Sequence, residues 1–112
     1  MARVVAFIPD LLFGSGVVGA LQAAGHEVVL AGDGGAVSRE LPGADLLIVD
    51  LTADVTQRIE TARSARVPKL AFYSHVDTDV RDAAEAAGFD RVVPRSRMAR
   101  EGAALVERLL PR

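Results

Sequence analysis

Apolar residues gather into five short runs along this chain, at residues 4–8, 28–31, 46–49, 70–73 and 92–93. Valine, isoleucine and leucine dominate them, and none shows the strict apolar/polar alternation of a strand with one wet face. A strand covered on both sides has no polar face to display, so the runs predict buried parallel strands. Between them, stretches at about 11–24, 55–65, 76–87 and 98–110 carry apolar residues near helical spacing. The order is β then α, repeated. Right-handed crossovers restrict five such units to an α/β fold with a doubly wound five-stranded parallel sheet, most simply in the order 2-1-3-4-5, between two layers of helices.

Local residues mark the boundaries. Gly25 and Gly88 each follow a helical stretch, where a residue free to adopt positive φ can close it. Thr52, Asp54 and Asp77 are candidate N-caps, because their oxygens can accept the unpaired amides of a first helical turn. Pro68 and Pro94 punctuate strand edges. Residues 33–45 leave room for about two helical turns before Pro42 and Gly43, so the second helix is predicted to be short. With no internal repeat, linker or low-complexity tract, residues 1–112 read as one domain.

Composition narrows the function classes. Half of the residues are hydrophobic and a quarter charged, the balance of a folded domain rather than a disordered one. The absence of cysteine removes disulfides, thiolate metal sites and cysteine nucleophiles. A net charge of −2, with four phenylalanines and one tyrosine, supplies neither phosphate attraction nor a base-stacking platform, so nucleic acid is not an expected partner. No apolar run approaches the roughly 20 residues that cross a bilayer, and residues 4–8 are too short for the core of a signal peptide. No membrane association is expected, and a cytoplasmic location is.

In a doubly wound sheet, ligands bind beyond the carboxyl ends of the strands beside the switch point. Asp10 and Asp50 fall there, after the first and third strands. A carboxylate at such a rim can act as a nucleophile, and two carboxylates with the Thr52 carbonyl can share a Mg2+ ion, which prefers hard oxygen ligands. The plainer reading makes both acids solvated rim residues, with Asp10 capping the first helix.

The order of features resembles response-regulator receiver domains over essentially the whole chain. It runs from an acid after strand one (Asp10), through Asp33-Gly34 after strand two, an acid ending strand three (Asp50) and a hydroxyl after strand four (Ser74), to Ala86-Ala87-Gly88 before a short fifth strand. The resemblance implies that Asp50 is a phosphoacceptor, that Asp10 and Asp50 hold Mg2+, and that Ser74 with a cation after strand five contacts the phosphoryl oxygens. Departures qualify each implication. Pro9 replaces one of two adjacent acids; Pro94 stands at the lysine position, with Arg95 one residue later; Tyr73 takes the Ser/Thr position, and Arg91 that of the switch aromatic. Arginine's planar fork is not interchangeable with an ammonium. The expectation is therefore an atypical, stand-alone receiver that works by protein contact, not an enzyme, with a genuine Mg-dependent phosphoacceptor as one alternative.

Another alternative is a nucleotide- or cofactor-binding flavodoxin-like protein. Gly14-Ser15-Gly16-Val17-Val18-Gly19 matches the dinucleotide pattern GxGxxG, but five residues separate Ile8 from Gly14, which places the glycines inside helix one. His75 faces the same rim as a possible proton carrier, its plainer role being to help start helix four; His26 reads as an exposed turn residue at the other end. Arg91, Arg95, Arg97 and Arg100 form one basic cluster, in which Arg95 and Ser96 can hold an anion at the start of helix five. Helix five carries more apolar residues than one core stripe requires, so helices 4 and 5 are the expected surface for a protein partner or a homodimer.

Overall fold

The apolar runs fold as the central strands of one sheet in the computed structural model, which describes residues 1–111. The elements alternate strictly: β1 Arg3–Phe7, α1 Leu11–Ala23, β2 Glu27–Ala31, α2 Gly34–Glu40, β3 Leu46–Asp50, α3 Val55–Ala62, β4 Lys69–Tyr73, α4 Thr78–Ala86, β5 Arg91–Pro94 and α5 Arg95–Leu109. All five strands are parallel, in the order β2-β1-β3-β4-β5 expected from the crossover rule.

Side chains alternate between two cores. Val4, Ala6, Leu46, Ile48, Leu70 and Phe72 pack with Val17 and Leu21 of α1 and with Met98, Leu105 and Val106 of α5. Val5, Phe7, Leu47, Val49, Ala71 and Tyr73 pack on the other face with Val37, Ile59 and Ala84 from α2, α3 and α4. Both faces are thus covered, which is why the strands show no polar alternation. Each fully buried Val, Leu, Ile or Phe contributes about 1.5–3 kcal/mol of transfer free energy.

Asp10 and Asp33 cap α1 and α2, accepting the amides of Phe13 at 3.1 Å and Ala36 at 2.8 Å. Gly25 and Gly88 adopt φ of +93° and +91° after α1 and α4, in keeping with their predicted role. The second helix has seven residues, as short as its sequence window allows.

Several boundaries and roles differ from the sequence reading. Helix α5 begins directly after Pro94 rather than at residue 98, because the fixed φ of proline suits a residue entering a helix, and it bends at Glu101. Asp54 and Asp77 occupy N-cap positions without side-chain cap bonds, and Thr52 turns back to Asp50 instead. His26 is not an exposed turn residue. It is buried; its Nδ1 accepts the Ala2 amide at 3.2 Å, which leaves Nε2 to carry the proton and donate to Glu107 at 2.6 Å. The surplus apolar surface expected on α5 is largely taken up: Leu105 and Val106 are buried, and Ala103, Leu109 and Leu110 pack against the same core. Among the described residues, the large apolar side chains left exposed are Met1, Leu11, Leu12 and Val76.

Candidate functional site

The carboxyl ends of β1, β3, β4 and β5 form the rim to which the sequence assigned its chemistry. Register places Phe7 beside Val49 and Tyr73 beside Pro94, so the residues just past those strands emerge together. An open cavity of about 590 Å3 lies there, lined by Asp10, Thr52, Ser74, His75, Arg95 and Ser96, with Phe13 and Ala99 as its apolar wall. Six of the seven candidate site residues therefore share one depression. Asp50 does not line it.

Asp10 and Arg95 form the charged part of that depression. The Asp10 carboxylate caps α1 through one oxygen and stands 3.5 Å from the Arg95 guanidinium through the other. Arg95 in turn lies over the Phe13 ring at 4.3 Å, and Phe13 packs at 4.9 Å on the buried Phe72 ring. This stack, with an attractive cation–π contact at its outer end, fixes Arg95 against the mouth of the site. Both partners of the Asp10–Arg95 pair are about half exposed, so solvent screens the pair heavily. Ser74, His75 and Ser96 contribute polar groups around it.

Asp50 belongs to a second, drier arrangement. It ends β3 at 3% exposure, and Oδ1 accepts both the amide and the hydroxyl hydrogen of Thr52. Oδ2 faces Arg58 of α3 at 3.5 Å, and the same guanidinium donates to the Asp50 carbonyl at 3.0 Å. Arg58 also stands 3.5 Å from Asp54 and 5.8 Å above the Phe7 ring. The Arg58 side chain is 11% exposed, and these partners compensate the burial of its charge. The two aspartates singled out in the sequence thus each hold a different arginine.

Arg58 escaped the sequence reading, although a signal for it exists. Val55, Ile59 and Ala62 form the inward stripe of α3, and position 58 falls at the same helical spacing from Val55 and Ala62. An arginine on a core-facing stripe requires a buried partner, and a search for one among nearby acids leads to Asp50.

Solved structures give this arrangement its context. A response regulator from Thermotoga maritima superposes with a TM-score of 0.84 at 17% identity, over 97% of each chain. The chemotaxis protein CheY4 of Vibrio cholerae gives 0.83 at 23% identity, over 98% of this chain and 99% of its own. The receiver domain of a sensor histidine kinase from Pseudomonas aeruginosa, with a magnesium ion coordinated in its active-site cleft, gives 0.78 at 17% identity over 96% of each chain. This chain has the fold of response-regulator receiver domains. No protein-family model matches the sequence, and no curated protein matches it either. Among the described residues no helix is long and apolar enough to cross a membrane.

The Pseudomonas receiver domain coordinates its magnesium ion in the active-site cleft. In the present chain both aspartates that would serve as donors are already matched by arginine. Asp10 stands alone after Pro9 and is engaged by Arg95, while Asp50 has Thr52 on one oxygen and Arg58 at the other. Among the described residues, no three His, Asp or Glu side chains gather where they would hold a metal. The dinucleotide-like glycines, finally, lie within α1, where Gly14 packs so closely on the sheet that an added Cβ would meet Leu30 at 2.9 Å.

Proposed function

We propose that this receiver-like domain acts in signal transduction through protein contact, and that Asp50 is not a Mg-dependent phosphoacceptor. The observation that carries this reading is the matching of Asp50 by Arg58 inside the fold: a carboxylate with one oxygen bonded to Thr52 and the other facing a buried guanidinium is a poor nucleophile towards a phosphodonor. It also lies outside the cavity where Ser74 and Arg95 would meet a phosphoryl group.

A partner would be met by the side formed by α4, β5 and α5. There the edge strand β5 runs between α4, where Asp79, Asp82 and Glu85 outnumber Arg81, and the start of α5, where Arg97 and Arg100 share Glu101, with the exposed Val76 beside α4. Opposite charges side by side favour an oriented protein contact over a nonspecific one.

The test is incubation with acetyl phosphate and Mg2+, read by intact mass. The expected result is an unmodified chain. Addition of one phosphoryl group, abolished in Asp50→Asn, would overturn the reading.

A further inference from the structure

We propose that Arg58 is the resident counter-cation of Asp50 and shuts divalent metal ions out of the end of β3, so that removing its guanidinium opens a cation site between Asp50 and Asp54. This rests on the reading of Asp50 given above and extends it to what sets the state of the site.

The guanidinium is surrounded by oxygen. It donates to the Asp50 carbonyl at 3.0 Å, faces the Asp50 carboxylate at 3.5 Å and the Asp54 carboxylate at 3.5 Å, and closes over the Phe7 ring. Two carboxylates and a carbonyl thus flank one positive charge, Asp50 at one terminal nitrogen and Asp54 at the other, and such hard oxygen donors are the kind that Mg2+ and Mn2+ select. The charge already present repels a second cation, and the guanidinium is held by oxygens from both aspartates. Asp54 is turned towards it at some cost. It is the only non-glycine residue with positive φ among those described, at +47°, and its side chain makes no cap bond to α3. The Asp54 carboxylate is thus available to the guanidinium rather than spent on helix amides, and the same carboxylate would be available to a metal once the guanidinium is gone. This site is distinct from the Asp10 depression, to which Arg58 does not contribute.

The experiment compares thermal melting of the wild-type chain, Arg58→Ala, Arg58→Lys and the double variant Arg58→Ala/Asp50→Asn, each with and without millimolar Mn2+ or Mg2+. Arg58→Ala is expected to gain about 4–8 °C with the metal, a binding stabilisation of ordinary size. The wild type, Arg58→Lys and the double variant are expected to show no gain. A folded Arg58→Ala that does not respond would overturn the proposal. So would a double variant that gains as much, because the ion would then be bound elsewhere. If Arg58→Ala does not fold, Mn2+ broadening of the wild-type amide resonances decides: selective broadening at Thr52 and Asp54 overturns the proposal, and their persistence beside broadened exposed acids supports it. Phosphorylation of the wild type in the mass experiment would overturn the proposed function without bearing on the metal response of Arg58→Ala, so the two failures are distinguishable.

Discussion

Exchanging Arg58 for methionine should destabilise the fold more than exchanging Asp50 for asparagine, and combining the two should restore part of the loss. Asp50 and Arg58 have side-chain exposures of 5% and 11%. In Arg58→Met the thioether fills much of the space, but a buried carboxylate keeps only the two Thr52 donors, and an uncompensated charge of this kind costs about 3–5 kcal/mol. Asp50→Asn retains an oxygen for Thr52 and a backbone carbonyl for Arg58, and Asp54 still faces the guanidinium. Only the charge interaction is lost, at about 1.5–3 kcal/mol. The double variant leaves no buried charge unmatched at this point, and neutral replacement of a buried pair is often close to isoenergetic. Urea unfolding of all four proteins reads the cycle. With a slope of about 1–3 kcal/mol per molar urea, the double variant should unfold at a midpoint about 1 M above Arg58→Met. If the two single losses simply add, to within about 0.5 kcal/mol, Asp50 and Arg58 are not a unit and the reasoning fails.

The packing and the caps set three further outcomes. Phe72→Ala should lower stability by about 3–5 kcal/mol in denaturant unfolding, since the ring is fully buried and supports Phe13. Gly88→Ala should lose about 1–2 kcal/mol because of its φ of +91°, while Gly16→Ala in α1, where an added Cβ meets nothing within 4 Å, should gain about 0.5–1 kcal/mol; equal effects would contradict the backbone account. Asp10→Ala should cost about 1 kcal/mol for the lost cap, and the same in high salt, because the half-exposed pair with Arg95 adds little; a loss that vanishes in salt would assign the stability to the ion pair instead.

The sheet was legible because burial on both faces writes itself into the sequence: runs such as 46–49 have no polar positions, and the βα alternation admits few orders. The shared depression of Asp10, Ser74, Arg95 and Ser96 was legible too, since parallel strands deliver the residues just past their carboxyl ends to one rim. The partner of Asp50 was legible only from α3, where Arg58 falls on the inward stripe, and not from the strand that carries the acid. Alternation along β3 sets Asp50 with Leu46 and Ile48, on the side where Asp10 and Arg95 lie, and that spacing carries no information about a long side chain arriving from α3. His26 failed for a related reason: its position before β2 suggested a turn, but the partner that buries it, Glu107, lies 81 residues away on α5.

The spacing of Asp50, Asp54 and Arg58 limits how such a site can change state. Asp54 and Arg58 are four residues apart, one helical turn, and Asp50 ends the strand that leads into that turn. The counter-charge is therefore supplied by the same strand-loop-helix unit as the acid it neutralises. In a rim where acid and cation come from different strands, as with Asp10 and Arg95, small shifts of one element against another alter the charge balance at little cost. Here any signal that acted through Asp50 would have to break the carboxylate and carbonyl contacts of Arg58 together and uncover a buried charge on both sides. The outer depression, where Asp10 and Arg95 are about half exposed, is the part of the rim whose charges can rearrange without first dismantling the interior.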